Sequence, residues 1–287
     1  MGDRTIGHTI GHTIGFLGAG NMAGALIKGL LGAGLVTAER ILASDPQGER
    51  LAALAATYGI RTTADNHAVV REAGVVFLAV KPQIVDQVLG DLAAAWRPAA
   101  LLISLAAGMP VAALEHYLPP GARVVRAMPN TPAMVLAGAT AISPGRHATA
   151  ADLDLARALF EAVGRVSVLD EAQHDAVAAV SGSGPAYVMV VIDALADAAA
   201  RVGLPRDVAL ALVAQTVHGA AKLLLETGAT PAALKAMATS PRGVAAAGLA
   251  VLEAGPLHRV LLDTVEAATA RSAELGREVL HRLRDPR

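Results

Sequence analysis

Short apolar runs alternate with helix-spaced apolar residues along the first half of the chain. The runs that predict strands are Ile14–Leu17, Ile41–Ala43, Val75–Val80, Leu101–Leu105, Arg123–Arg126 and Thr140–Ile142. Helical spacing falls between them, at Met22–Leu31, Glu49–Tyr58, Pro82–Ala95 and Val111–Tyr117. Several runs are apolar at every position, which is typical of strands covered by helices on both faces. The pattern predicts a doubly wound parallel sheet of the Rossmann type from about residue 13 to residue 164.

After about Gly164 the pattern becomes mostly helical, and we expect an all-α domain over residues 165–287. Helices are predicted from Pro185 to near Gly203, with Ser183 as a candidate cap, and from Arg206 to about Glu226. A short third helix is expected to start at Thr230-Pro231, and two more follow Gly243 and Gly255. The long helices have little polar surface, so other protein must cover them. This favours an intertwined helical homodimer.

The chain begins with a short repeated unit, Gly7-His8-Thr9-Ile10 followed by Gly11-His12-Thr13-Ile14. Histidines four residues apart on one helix face can bind a metal ion. A glycine in each unit argues against a helix, so residues 1–12 are interpreted as a disordered extension. No other spacing of metal-ligating residues stands out, and no metal is predicted.

Composition narrows the class of protein. The net charge is -1 and aromatic residues make up 2%, so the chain lacks the basic surface and the stacking platforms of nucleic-acid binders. The apolar run from Ala99 to Leu114 contains Gly108 and Pro110 and is too short for a membrane span. The run from Ala176 to Ala200 carries Pro185 and two aspartates, which favours a buried helix. With no signal-peptide pattern, a cytoplasmic protein without membrane or nucleic-acid partners is expected.

A glycine-rich segment follows the first predicted strand. Gly18-Ala19-Gly20-Asn21-Met22-Ala23 fits the G-x-G-x-x-G/A fingerprint between a strand and a helix. Gly18 allows a tight turn, Gly20 lets a pyrophosphate approach the backbone, and Ala23 allows the helix to pack on the strand. The helix N-terminus then offers free N–H groups to the phosphates. The segment predicts a dinucleotide site, with an ordinary glycine-rich turn as the alternative.

An acidic residue, Asp45, ends the second predicted strand. In that place a carboxylate can bind the adenosine ribose and repel a 2′-phosphate, which favours NADH. Arg50 would offset that repulsion, and Asp45 could instead cap the helix that follows Pro46. NADPH and NADH therefore both stay open as the cofactor.

Further segments resemble one family, the pyrroline-5-carboxylate reductases. The resemblance rests on the segments Ile14–Leu31, Ala64–Asn66, Leu78-Ala79-Val80-Lys81-Pro82, Arg126-Ala127-Met128-Pro129-Asn130-Thr131-Pro132, Ser181-Gly182-Ser183-Gly184-Pro185-Ala186-Tyr187 and Gln215–Lys222. Their order and spacing are similar to the family's from about Ile14 to the last helix, which is essentially the whole chain. The combined signature is specific, although each piece alone is modest.

The resemblance implies an NAD(P)H-dependent reductase that converts 1-pyrroline-5-carboxylate, a small cyclic imino acid, to L-proline, the last step of proline biosynthesis. It also implies a helical dimerisation domain and often a ring of dimers. Pyrophosphate contacts are implied for Gly18, Gly20, Asn21 and Met22. The resemblance places Asn66 on the adenosine side, Ala79, Lys81 and Pro82 along the cleft, and Met128, Pro129 and Asn130 beside the nicotinamide. Segment Ser181–Tyr187 is either a site contact or a hinge with a helix cap.

One loop departs from the family pattern, which usually reads Ser-Pro-Gly-Gly followed by Thr-Thr or Ala-Thr. There the family's backbone N–H groups bind the substrate carboxylate, and the last threonine hydrogen-bonds the imine nitrogen. This chain reads Ser240-Pro241-Arg242-Gly243-Val244-Ala245, so Arg242 replaces a glycine and Ala245 replaces the threonine. Arg242 either faces the ligand or is a surface cation. No catalytic side-chain acid is assigned.

The departure leaves three functions to test. The first is reduction of 1-pyrroline-5-carboxylate. The second is reduction of a different cyclic imine, because the residues at Arg242 and Ala245 are altered. The third, from a different class, is a non-catalytic cofactor-binding assembly protein.

Overall fold

The computed structural model describes residues 11–284, so the first histidine-containing repeat lies outside the described residues. The chain forms two compact units. One comprises residues 11–183 together with 268–284, and the other comprises residues 184–267. Each unit is described by itself below. The division at residues 164 and 165 stays a prediction.

An eight-stranded sheet organises the first unit. The strands are β1 (Ile14–Leu17), β2 (Ile41–Ser44), β3 (Arg61–Thr63), β4 (Val75–Leu78), β5 (Leu101–Ser104), β6 (Arg123–Met128), β7 (Gly138–Pro144) and β8 (Gly164–Val168). Their order is β3-β2-β1-β4-β5-β6-β7-β8. The strands from β3 to β6 are parallel, β7 is antiparallel to β6, and β8 is parallel to β7. The doubly wound Rossmann-type fold class is confirmed, with a sheet that is mostly parallel.

The sheet is buried on both faces, which explains its continuous apolar strands. In β4, Val75 and Phe77 belong to one hydrophobic cluster, whereas Val76 and Leu78 belong to the other. The Phe77 ring stacks on Phe16 with centroids 4.9 Å apart. Helices must therefore cover both faces, as in other parallel sheets.

Short helices pack around this sheet, and most match the predicted ranges. They are α1 (Asn21–Gly32), α2 (Gly48–Tyr58), α3 (Asn66–Glu72), α4 (Val85–Leu92), α5 (Val111–Tyr117), α6 (Ala150–Glu161) and α7 (His174–Val177). A π-turn at Ala178–Gly182 continues from α7. The predicted helix Pro82–Ala95 is α4 flanked by two 3-10 turns.

Two strands are absent from the predicted set. Strand β8 begins at Gly164, where the sequence pattern becomes mostly helical, and the elements described after it are helices. Both β3 and β8 are edge strands with polar residues, and none of their residues is buried. Arg61-Thr62-Thr63 is also short. Neither strand gives the apolar run that marks the central strands.

The second unit is helical. It contains α8 (Gly184–Arg201), α9 (Arg206–Thr227), α10 (Pro231–Met237), α11 (Val244–Ala254) and the first part of α12 (Leu257–Arg284). Helix α9 ends at Gly228, which has a left-handed φ of 64°. The Thr230 hydroxyl accepts from the Ala233 N–H and caps α10. Ser183 is not the expected cap, because its hydroxyl donates backwards to the Ala178 carbonyl oxygen.

Much of the apolar surface of α8 and α9 is exposed within one chain. By length and composition alone, two helical segments could cross a membrane, Glu171–Arg201 and Arg206–Thr227. A bent pair formed by α11 and Leu257–Leu283 raises the number of candidate spans to three. Only 11% and 6% of the apolar windows of the first two are buried. The expectation of a buried helix from Ala176 to Ala200 is therefore not met within a single chain, and another surface must cover it.

The end of α12 belongs to the sheet unit. The Ser272 hydroxyl donates to Asp175 Oδ1 at 2.7 Å. Val279 is buried in the same hydrophobic cluster as Leu114 and Leu118, beside α5. Residues 268–284 thus supply part of the core of the sheet unit. All other residues of that unit precede residue 184.

Candidate active site

The turn after β1 lies where the chain reverses its strand order. Gly18 has a φ of 102°, a conformation that favours glycine. A Cβ on Gly18 would lie 2.8 Å from the Ala79 carbonyl oxygen, just past the end of β4. The Ala79 N–H donates to the Leu17 carbonyl oxygen at 2.8 Å. The ends of β1 and β4 therefore meet closely at the crevice where doubly wound sheets bind ligands.

Helix α1 begins beside this turn and leaves its first N–H groups available. Gly20 is the N-cap and provides no side-chain hydrogen bond. A Cβ built on Gly20 meets no heavy atom within 4 Å, so the space above it is open. Asn21 is exposed and Ala23 is fully buried. These residues fit a pyrophosphate group at the helix N-terminus.

Asp45 is buried and stabilises the glycine-rich turn by hydrogen bonding. Its Oδ2 accepts from the Ala19 N–H at 3.0 Å, and its Oδ1 accepts from the Gln47 N–H at 2.8 Å. Arg50 lies 3.7 Å from the same carboxylate. The N-cap of α2 is Gln47, so Asp45 supports the chain just before that helix. Its binding to a ribose stays a prediction.

Asn66 lies beside the end of β2. Its Oδ1 is 2.6 Å from the Ser44 Oγ, which also lies 3.2 Å from the Phe16 carbonyl oxygen. The structure thus brings Asn66 to the sheet edge that carries Gly18. Ser44 was not singled out from the sequence, although a buried hydroxyl at the end of an apolar strand is a usable signal.

Lys81 and Pro82 follow β4 at the same edge. Pro82 begins a 3-10 turn, with Lys81 as its N-cap. The Lys81 side chain is exposed and has no ion pair with any side chain in residues 11–284. Its charge is therefore available for an anionic ligand at the carboxyl end of the strands.

The loop after β6 is tied to the π-turn. The Asn130 Nδ2 donates to the Ser181 carbonyl oxygen at 3.2 Å and lies 3.4 Å from its hydroxyl. The Asn130 Oδ1 accepts from the Ala139 N–H at 2.9 Å. Met128 packs on Gly182, where an added Cβ would lie 2.4 Å from the Met128 methyl carbon. Since β6 is parallel to β5, this loop also leaves the sheet at the carboxyl edge.

The loop that departs from the family pattern lies in the helical unit. The Gly243 N–H donates to the Ser240 carbonyl oxygen at 3.0 Å, which closes a turn with Pro241 second and Arg242 third. Arg242 has a φ of 59°, as the third position of a type II turn requires. The glycine usual in the family suits this backbone better than arginine does. Gly243 is the N-cap of α11, without a side-chain cap.

Arg242, Val244 and Ala245 are exposed within the single chain. The Arg242 guanidinium has no hydrogen-bond partner among the described residues. Within one chain, the Arg242 side chain therefore points outward. Whether it faces a ligand stays a prediction.

The predicted site residues therefore fall into two sets. The cofactor candidates, Gly18 to Asn130, lie in the sheet unit at the carboxyl edge of its strands. The substrate candidates, Ser240 to Ala245, lie in the helical unit. Among residues 11–284, no cluster of three or more His, Asp or Glu side chains is arranged to hold a metal ion.

A buried histidine lies behind the π-turn. The His174 Nε2 is 2.8 Å from the Ser143 Oγ, and that hydroxyl donates to the Leu169 carbonyl oxygen at 2.5 Å. Ser143 therefore accepts from Nε2–H, and the buried Nδ1 has no partner in the described part of the chain. Burial, followed by the nearby positive charge of Arg126, lowers the pKa of His174 to about 4.

We expect this histidine to make the protein sensitive to acid. Because the pKa of His174 is lower in the folded state, its contribution is complete above about pH 6.5 and is lost as pH falls towards 4. The loss amounts to about 3 kcal/mol. Urea unfolding between pH 7 and 4, at fixed protein concentration, should show a smaller loss for His174→Gln. His116→Gln, at an exposed position, is the control, and equal pH dependence in all three proteins would contradict the prediction.

The fold and the glycine-rich edge define the class of the protein, a dinucleotide-binding oxidoreductase of the doubly wound type. Comparison with family models agrees. Residues 171–275 match the pyrroline-5-carboxylate reductase dimerisation model. Residues 13–108 match the model of the coenzyme F420-dependent NADP oxidoreductases.

Similar proteins extend the match over most of the chain. A pyrroline-5-carboxylate reductase of Methanosarcina acetivorans is 46% identical over 92% of this chain and 97% of its own length. One of Pseudomonas aeruginosa is 43% identical over 92% and 97%. The solved structure of a pyrroline-5-carboxylate reductase from Coxiella burnetii has a TM-score of 0.87 at 37% identity, covering 92% and 98%. The Plasmodium falciparum enzyme, solved with NADP bound, has a TM-score of 0.82 at 28% identity, covering 93% and 98%.

The chain belongs to the pyrroline-5-carboxylate reductase family. Its cofactor is NAD(P)H, with the preference between the two forms open. Because the dimerisation region covers α8 to α11, the chain self-associates, and this explains apolar helices that one chain leaves uncovered.

Proposed function

We propose that this protein reduces 1-pyrroline-5-carboxylate to L-proline. The single observation that carries the proposal is membership of the reductase family over 92% of the chain at 46% identity. When bound, the nicotinamide supplies a hydride for the imine carbon, and the imine nitrogen holds a proton. Solvent can provide that proton before binding, so the protein mainly orients the two reactants.

The proposed cofactor site uses the carboxyl edge of the sheet. The turn and uncapped helix N-terminus would bind the pyrophosphate through Gly18, Gly20, Asn21 and Met22. Asp45 and Asn66 would face the adenosine side. Ala79, Lys81 and Pro82 would line the cleft, with Met128, Pro129 and Asn130 next to the nicotinamide. The close approach of Gly18 to Ala79 and the open space above Gly20 support this assignment.

The proposed substrate site uses the turn before α11. Behind the N-cap Gly243, the uncapped N–H groups of Val244 and Ala245 can receive a carboxylate at the positive end of the helix. Ser240 and Pro241 set the turn, and Arg242 adds a positive charge beside it. Ala245 cannot give the hydroxyl contact typical of the family.

A specific observation favours a second candidate function. Arg242 and Ala245 together alter the loop that would contact the imine and its carboxylate. Reduction of a different cyclic imine, such as a six-membered ring, is therefore the second candidate. It would use the same cofactor site.

The deciding experiment measures oxidation of NADH and of NADPH with a panel of imines. The panel contains 1-pyrroline-5-carboxylate, the six-membered carboxylated ring and the five-membered ring without a carboxylate. Fastest turnover of 1-pyrroline-5-carboxylate supports the first candidate. Preference for another ring selects the second, and binding of cofactor with no turnover on any imine contradicts both.

Restoring the family residue should increase activity. Ala245→Thr supplies a hydroxyl to the imine nitrogen, and a hydrogen bond to a charged group contributes about 1.5–3 kcal/mol. We expect kcat/KM for 1-pyrroline-5-carboxylate to rise roughly 10-fold or more. Ala247→Thr, which is exposed on the same helix, is the matched control. An unchanged rate in Ala245→Thr would place that residue away from the imine.

We also propose that assembly proceeds through an intertwined dimer, with a ring of dimers as the larger form, in the cytoplasm. The exposed apolar faces of α8 and α9 support the dimer, and the resemblance to the family supports the ring. Light scattering during size-exclusion chromatography gives the mass. Fractionation of lysed cells, with washing of the membranes, distinguishes this assembly from membrane insertion.

A further inference from the structure

We infer that Asn130 and Ser181 form a clasp that positions the nicotinamide-proximal loop. Here the Asn130–Ser181 clasp means the side-chain amide of Asn130, the backbone and hydroxyl of Ser181, and the Met128 side chain against Gly182. The inference rests on the proposed function and deepens it. It makes Asn130 a positioning residue that acts through its neighbours.

The side-chain amide of Asn130 is used on both of its ends. Its oxygen accepts from the Ala139 N–H at 2.9 Å, at the start of β7. Its nitrogen donates to the Ser181 carbonyl oxygen at 3.2 Å, with the hydroxyl at 3.4 Å. An amide group has two N–H donors and one acceptor oxygen. Here these groups join three segments: the loop after β6, the start of β7 and the π-turn. Both ends of the Asn130 amide bind protein groups. We therefore infer that Asn130 affects the cofactor by holding the loop backbone in place.

The Ser181 carbonyl can accept from Asn130 because the helix has no N–H group to offer it. Residues 178–182 form a π-turn, in which the Ser183 N–H donates to the Ala178 carbonyl oxygen at 2.9 Å. In a regular helix the Ser181 carbonyl would accept from residue 185, but Pro185 has no N–H, so this oxygen is left for Asn130. Single π-turns occur often at functional sites.

A second contact joins the same loop to the π-turn. The Met128 methyl carbon approaches Gly182 so closely that any Cβ there would lie 2.4 Å away. Met128 and Asn130 are two residues apart, so the loop between them is held at both ends on the π-turn. All of these residues lie within the sheet unit.

Hydride transfer needs the donor and acceptor carbons in a narrow geometry, and a displacement of about 1 Å can reduce the rate on the order of 100-fold. A loop that borders the nicotinamide therefore needs support behind it. The clasp gives that support without using binding contacts to the cofactor. Breaking it should lower kcat while leaving cofactor affinity nearly intact.

The experiment compares Asn130→Asp, Ser181→Ala and Gly182→Ala in the full-length assembled enzyme. Asn130→Asp keeps an acceptor for Ala139 and removes the donor to Ser181. Ser181→Ala loses only the longer hydroxyl contact, so its effect should be smaller. Gly182→Ala leaves the amide intact and displaces Met128, so it tests the clasp even where Asn130→Asp does not fold.

For Asn130→Asp we expect kcat to fall at least about 10-fold, and for Gly182→Ala we expect a smaller fall, because only the flexible end of Met128 must move. In both variants the NADPH Kd should stay within about 3-fold of the wild-type value. The deuterium isotope effect from NADPH labelled at the transferred position should rise, a change that a merely structural role would not cause. An unchanged kcat or isotope effect, or a Kd that rises in proportion to the loss of kcat, would overturn the clasp. Wild-type turnover of 1-pyrroline-5-carboxylate in the same assay tests the proposed function separately.

Discussion

Gly18→Ala should raise the Kd for NADPH about 100-fold, a change of about 2.8 kcal/mol. Gly18 has a φ of 102°, which disfavours a residue with a Cβ. The new methyl group would also lie 2.8 Å from the Ala79 carbonyl oxygen, and this backbone atom cannot swing aside. The turn must move away from β4, so the N–H groups of α1 no longer converge on the pyrophosphate. Quenching of protein fluorescence or calorimetry measures the Kd.

The matched control for this change is Gly32→Ala, at the other end of α1. Gly32 has ordinary backbone angles, and no heavy atom lies within 4 Å of a Cβ built there. Its variant should bind NADPH like the wild-type protein. Equal affinity in Gly18→Ala and wild type would show that the turn after β1 is not the cofactor site.

Leu212→Asp should convert the assembled enzyme to monomers and remove nearly all activity. Leu212 lies on α9 with 54% of its surface exposed in one chain, inside the region that matches the dimerisation family. Burial of a leucine contributes about 2 kcal/mol, and a two-fold interface contains each position twice. An unpaired carboxylate buried there adds a further cost of several kcal/mol. We expect the dimer Kd to rise about 1000-fold or more.

Leu212→Met tests whether the effect comes from charge and lost burial, because methionine keeps an apolar side chain of similar volume. It should remain assembled and active. Sedimentation velocity over a range of protein concentrations measures the masses of all three proteins. A dimer of unchanged stability in Leu212→Asp would show that this face of α9 is not covered by a second copy.

The central strands could be predicted because their residues are apolar on both faces. The bounds of β1 and α5 agree with the predicted ranges, and the fold class follows from the alternation of such runs with helices. Strand β7 shows the limit of this reasoning. Its residues predict a strand but not its antiparallel direction, which follows from a connection, residues 129–137, that is too short for a parallel crossover.

Some residues of the candidate site could be predicted from the sequence, and others could not. Gly18 and Gly20 could be recognised because their spacing reflects a local backbone requirement. The contact of Asp45 with the Ala19 N–H could not, since Ala19 approaches it only after β1 and β2 pair. The same holds for Ser181, which reaches Asn130 through a π-turn that no apolar period reveals. The φ of 59° at Arg242 could not be predicted either, because Pro241 suits the second position of a type I turn as well as of a type II turn.

The division of α12 has a consequence for how the chain is made. The helical unit is inserted into the sheet unit, since residues 268–284 return to the core beside α5. During synthesis the ribosome releases this segment after every other part of both units. Newly made chains therefore lack this part of the core beside Leu114 and Leu118 until residues 268–284 have left the ribosome.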